Sequence, residues 1–224
     1  MKAQDSVPQR GGRCAMPGRI IISDHCVAEG AAWLAALDPR FARALSETGP
    51  LPLRCRDGGF AALFDAIVSQ QVSVASANAI WGRLQAAGFA EGPAVAIASD
   101  DALRACGLSR QKIRYGRALA QAGIDFAALP LLPDESVIAT LVALPGIGRW
   151  TAEIYAMFSL GRADVFAPGD LALQEAAKVL FGLDARPTER QLRSMAEAWS
   201  PWRAVAARLL WAYYRVAKSH EGIK

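Results

Sequence analysis

The residues of this chain best suited to chemistry lie between Leu141 and Leu173, in the stretch LVALPGIGRWTAEIYAMFSLGRADVFAPGDLAL. An apolar helical run ends at Ala143, the chain turns through Leu144, Pro145, Gly146, Ile147 and Gly148, and a second helix is predicted from Arg149. Gly146 and Gly148 bracket one apolar residue, so Ile147 can plug between the two helices while the glycines supply backbone freedom and leave amides uncovered. Uncovered amides at the positive end of a helix attract a phosphate. A Leu-Pro-Gly-x-Gly turn also makes an ordinary αα-hairpin, and the hairpin alone does not separate the two readings. Pro168-Gly169-Asp170 then opens another helix, with Asp170 twenty residues after Trp150. A carboxylate in that place serves as a helix cap, as a group available for chemistry, or as both.

Hairpin, Gly/Pro-rich connection and following aspartate together resemble the helix-hairpin-helix (HhH-GPD) DNA glycosylase superfamily. Within it, GRWTA, PGDLAL and Trp199-Ser200-Pro201-Trp202-Arg203 are most similar to the alkylated-base branch, the 3-methyladenine DNA glycosylase II type, over about residues 58 to 215. The resemblance implies an all-α fold of two helical lobes carrying the hairpin motif, with an active-site cleft between them. It implies a monofunctional glycosylase that flips a damaged base out of double-stranded DNA and hydrolyses its N-glycosidic bond, leaving an abasic site. The substrates implied are alkylated purines such as 3-methyladenine and 7-methylguanine. A glycosylase for a deaminated or oxidised base, or a noncatalytic DNA-binding module, are the alternatives.

The same resemblance distributes roles over the residues. Breaking the N-glycosidic bond builds positive charge on the deoxyribose, so a fixed carboxylate must face that carbon, and Asp170 takes this catalytic role. Trp150 stands where strand-cutting members place a Schiff-base lysine, which implies base release alone. Lys178, the nearest later lysine, falls in a different helix. A cationic alkylated purine stacks on electron-rich rings, and pocket roles pass to Trp150 and Trp211. Ile154 occupies a place where an aromatic is often found, with Tyr155 beside it. In the Ser69-Gln70-Gln71-Val72-Ser73 loop, Gln71 is the implied wedge that fills the gap in the base stack, and Gln70 its support. The amides of Gly146, Ile147 and Gly148, with Thr151, are implied to hold the DNA backbone. The carbonyls of Val142, Leu144 and Gly146 are implied to hold an optional structural Na+ or K+, and no other cofactor is implied.

The elements that must position these groups read as helices throughout. Ser23 or Asp24 caps a helix to Leu37 with Val27, Trp33, Leu34 and Leu37 on its apolar side, and Asp38-Pro39 starts a short one through Leu45. Phe60, Leu63, Phe64, Ile67 and Val68 repeat at i, i+3, i+4, i+7 and i+8, an amphipathic helix. Ser73, Ser99 and Ser109 cap the next three predicted helices, the last of which carries Arg110, Lys112, Arg114 and Arg117. Pro133-Asp134 begins the helix entering the hairpin. Thr188 and Gln191 form a capping box, and Ser200-Pro201 supplies cap and first-turn proline for a long last helix. No alternating strand of useful length is present, and the first 59 residues are too few and too helical for the N-terminal β domain that bacterial relatives often carry. The predicted division is a flexible tail over 1–22, one lobe from 23–59 plus 163–224 with Asp170, and one from 60–162 with the hairpin.

Composition bounds the class without deciding it. The chain of 224 residues is long enough for one compact unit or two small interlocked lobes. Lys and Arg number 25 against 21 Asp and Glu, a net charge of +4, with a pI of about 9.0, which permits an anionic partner without demanding one. Cysteines at 14, 26, 55 and 106 form no CxxC pair, and His25 and His220 are the only histidines, so neither a zinc site nor an iron–sulfur cluster is expected. Apolar stretches break well before the roughly 18 residues of a membrane span, and Ile20-Ile21-Ile22 is too short for a secretory segment. The expectation is a cytoplasmic monomer with no membrane contact.

Overall fold

The computed structural model describes residues 18–221, which are helical with no named strand. The first helices are α1 (Asp24–Leu37), α2 (Pro39–Thr48), α3 (Gly59–Val68), α4 (Val74–Ala86), α5 (Gly92–Ile97), α6 (Asp100–Ala105) and α7 (Arg110–Gln121). After them come α8 (Asp134–Val142), α9 (Arg149–Phe158), α10 (Leu171–Phe181), α11 (Glu189–Ala196) and α12 (Arg203–Glu221). Most begin where a short polar side chain satisfies an orphan amide. Ser23, Asp38, Ser73, Ser99 and Ser109 each accept from a backbone N–H in the first turn of the helix that follows. The box of Thr188 and Gln191 is formed reciprocally at the start of α11.

Packing sorts the helices into two groups. α1, α2, α10 and α12 lie against one another, and at their centre Phe41 meets Phe181 and Trp199 edge-on while Phe181 stacks on Trp199 at 5.7 Å. α3 lies against α4, α7 and α9, α7 carries α5 and α6, and α8 with α9 forms the hairpin. All five apolar residues of the α3 repeat are buried, as a single stripe facing one core requires. Arg162, fully buried, ties the chain after α9 to the segment that leads into α8: it donates to the carbonyls of Leu129, Pro130 and Leu132 and pairs with Asp134 at 3.3 Å.

The structure corrects the sequence reading in four places. The tail expected over 1–22 does not extend to residues 18–22; residues 1–17 lie outside the described residues. Ile21 is buried and donates its N–H to Gly161 O at 2.7 Å, Ala163 N–H donates to Arg19 O, and Ile20 bridges Arg162. Burial alternates here, Ile21 in and Ile22 out, so three isoleucines too few for a helix still make an extended, half-buried segment. Ser200 does not cap α12: its hydroxyl donates to Asp164 Oδ2 at 2.8 Å, Pro201 follows a cis bond, and the helix begins at Arg203, which also grips Asp164. Leu37 is exposed: it is the final residue of α1, past Leu34, the last of that helix's buried side chains. The six-residue α5 has no capping side chain and escaped the reading.

Candidate active site

Asp170 sits at the N-cap of α10, half-buried, with four N–H groups on its carboxylate. Oδ1 accepts from the amides of Ala172 at 2.9 Å and Leu173 at 3.1 Å and from Trp211 Nε1 at 3.2 Å. Oδ2 accepts from Trp150 Nε1 at 3.1 Å. The carboxylate that caps α10 is thus also held by indole N–H groups from two other helices, which a cap alone does not require. Three elements converge on it: the first turn of α9 through Trp150, α12 through Trp211, and the start of α10, whose dipole favours negative charge at this end. The approach is fixed from below by Gln174, whose buried amide donates to Pro168 O at 2.8 Å. Sequence reasoning missed Gln174; the signal was there, a lone amide one turn after Asp170 on the buried side of an apolar helix.

The hairpin is built as tightly as its sequence suggests. Ile147 is buried between the helices. Gly146 has a φ of +88°, and a Cβ there would lie 2.3 Å from the Tyr115 ring, so no other residue fits. Gly148 is the N-cap of α9 with no side-chain cap, and a Cβ on it would meet nothing within 4 Å. One part of the expectation changes: the Ile147 amide already donates to Leu144 O at 3.1 Å within the turn. The amides of Gly146 and Gly148 have no acceptor among the described residues.

Gln70 and Gln71 part company. Gln70 Nε2 donates to Gly146 O at 2.8 Å and ties the loop after α3 to the hairpin. Gln71 is exposed, with no partner among the described residues and a φ of +57° that non-glycine residues seldom adopt. The basic face of α7 is largely committed elsewhere. Lys112 Nζ donates to Val68 O, Arg117 to the carbonyls of Ala96 and Ala98 and to Asp100, and Arg114 lies over the Tyr115 ring. Among the described residues, Arg110 is the one cation of the four that is exposed without a partner.

Ile154, Tyr155 and Thr151 are not among the described residues that hydrogen-bond the Asp170 side chain. They line a cavity of about 340 Å³ between α9 and α3, which Trp81 of α4 and the 56–58 loop close from the sides. Tyr155 is buried and its hydroxyl accepts from Gly59 N–H at 2.8 Å; burial raises its pKa, so the phenol stays neutral. The cavity abuts the Asp170 site through Phe158, a lining residue whose ring lies 5.8 Å from that of Trp211. Arg208 covers the other side of Phe158 at 4.8 Å and donates to Leu53 O; burial pushes its pKa down to about 10. Among the described residues no group of three or more His, Cys, Asp or Glu is placed to hold a metal ion, and no helix is long and apolar enough to cross a membrane.

Residues 64–203 match the family described as HhH-GPD superfamily base excision DNA repair protein. The chain is 32% identical over 165 residues to DNA-3-methyladenine glycosylase 1 of Schizosaccharomyces pombe, across 69% of this chain and 72% of that protein. Its fold is similar to a DNA-3-methyladenine glycosidase from Bacillus halodurans, with a TM-score of 0.78 and 35% identity over 85% of this chain and 91% of the other. It is similar also to a 3-methyladenine DNA glycosylase of S. pombe in complex with abasic DNA, with a TM-score of 0.70 and 30% identity over 82% and 95% of the two chains. The family match spans more than half of the chain and takes in both the hairpin and the carboxylate after it: the chain belongs to the HhH-GPD superfamily of base excision DNA repair proteins.

Proposed function

We propose that this chain is a monofunctional DNA glycosylase that excises alkylated purines, 3-methyladenine and 7-methylguanine among them, from double-stranded DNA. The observation that carries the reading is Asp170, held by two indole N–H groups and two backbone amides beside the hairpin. A carboxylate fixed in this way needs no reorganisation to face the charge that develops on the sugar as the base departs. The relatives named for 3-methyladenine support the substrate class. Trp150 in place of a lysine supports hydrolysis without strand cutting.

The remaining roles belong to the same proposal. Gly146 and Gly148 offer amides to a backbone phosphate, Gln71 enters the gap left by the flipped base, and Gln70 braces it against the hairpin. The exposed, strained backbone of Gln71 suits a side chain that works outside the protein. Residues 23–59 plus 163–224 act as the lobe bearing Asp170 and 60–162 as the lobe bearing the hairpin, which the grouping of helix contacts supports. A monovalent cation fits the carbonyls of Val142, Leu144 and Gly146 only as a guest: Leu144 O and Gly146 O already accept hydrogen bonds and each keeps one lone pair. The working unit is one chain on one damaged duplex.

The test is base release from methylated DNA by wild type and by Asp170→Asn. Asparagine is as good a cap as aspartate, so fold and DNA binding persist. Release is expected to fall by roughly 10³-fold or more. Undiminished release by the variant ends the proposal.

A further inference from the structure

The cavity between α3 and α9 holds a carboxylate that nothing so far has used. Asp65 of α3 lines it half-buried, and no hydrogen bond or ion pair holds its side chain among the described residues. An acid on a helix otherwise as apolar as GFAALFDAIV has no structural reason to face a hollow rather than bulk water. Burial raises its pKa, and the charge of Arg56 across the 56–58 loop draws it back toward ionisation. The charged lining is Arg56, Asp57 and Asp65, one cation against two anions. The walls are therefore net negative in a chain whose overall charge is +4. A phosphate is repelled from such a space and a cation is drawn into it. At about 340 Å³, flanked by Trp81 and Phe158, the space suits a flat ring system of purine size.

We propose that Asp65 is a specificity-determining residue of the base pocket, whose carboxylate favours a positively charged, alkylated purine over a neutral one. This rests on the glycosylase reading above, and it adds a residue and a selection rule to it. An N-alkylated purine in DNA carries a formal positive charge until its bond to the sugar breaks, and the charge then passes to the sugar. Asp65 lines the cavity, whereas Asp170 stands outside its lining at the start of α10, linked to it through Phe158 and Trp211. The first carboxylate stabilises the bound lesion, and the second stabilises what the lesion becomes. A contact made to the ground state appears in binding, so Asp65 acts on KM and leaves kcat unchanged or lowers it.

Binding is measured in the Asp170→Asn background, where turnover does not intervene, using duplexes with a single 7-methylguanine, a single hypoxanthine as the neutral counterpart, or no lesion. Adding Asp65→Asn is expected to weaken the 7-methylguanine duplex roughly tenfold and to leave the other two unchanged. Asp65→Glu is expected to restore the preference. In the otherwise wild-type chain, Asp65→Asn raises KM for 7-methylguanine release without lowering kcat. Thermal melting of each variant establishes that the fold is intact. Equal weakening of all three duplexes, an unchanged preference, or a loss confined to kcat overturns the assignment. Failure of the glycosylase reading registers separately, as no release of 7-methylguanine by wild type or full release by Asp170→Asn.

Discussion

A methyl group added to either glycine of the hairpin meets two different environments. At Gly146 it strikes the Tyr115 ring at 2.3 Å on a backbone of φ +88°, whereas at Gly148 it meets nothing within 4 Å. Gly146→Ala is expected to cost more than about 2 kcal/mol in urea unfolding. Gly148→Ala is expected to change stability by less than about 1 kcal/mol, while weakening DNA binding and its salt dependence, because the methyl group occupies the ground a phosphate needs. Stability lost at both positions, or DNA affinity kept at Gly148→Ala, contradicts this division. At the residue scale the sequence exposed what chemistry and local geometry dictate together: Gly146, Ile147, Trp150 and Asp170 all stand in one short stretch. It did not expose Asp65 or Gln174, because what gives each its meaning lies elsewhere in the chain or in the burial of a helix face. An unpaired acid becomes visible only when α9 is laid beside α3.

Elements began where their caps said they would. A serine or aspartate whose side chain accepts from the first turn stops the helix from starting anywhere else, and that rule placed α1, α2, α4, α6, α7 and α11 from sequence. It misplaced the start of α12: Ser200 turns its hydroxyl to the Asp164 carboxylate, and the helix starts three residues on at Arg203, which grips the same carboxylate. The joints between elements were less legible. Gln70 belongs by sequence to the loop after α3, and by its bond to Gly146 O it belongs to the hairpin as well. Gln70→Ala is expected to cost about 1 kcal/mol of stability and to raise KM for damaged DNA more than it lowers kcat, since loop and hairpin then move independently. Steady-state kinetics on a single-lesion duplex, alongside urea unfolding, measures both effects.

Across the whole molecule, arginines and acids that the sequence scatters widely come together in buried pairs. Glu153, 1% exposed, accepts from Arg149 Nε and Arg193 NH2 at 3.0 Å each, and Asp134 lies against buried Arg162. Burial raises the pKa of Glu153 from 4.5 and of Asp134 and Asp65 from 3.8, the neighbouring arginines opposing it in each case. The folded chain therefore holds these protons to higher pH than the unfolded chain does. Their contribution to stability is complete below the unfolded values and is lost as pH rises through the folded ones. Urea unfolding from pH 4 upward is expected to show this decline, and Glu153→Gln to flatten it; a slope unchanged by the substitution, or one of opposite sign, refutes the linkage. The grip of two indoles on Asp170 has an optical consequence. Trp150 is 48% exposed while Trp211 is packed against Phe158, so the two chromophores touching the carboxylate emit from different surroundings. A base arriving beside them should quench and blue-shift the exposed one, and a Trp150→Phe chain should lose that response, so the protein's own ultraviolet glow reports each time the site fills.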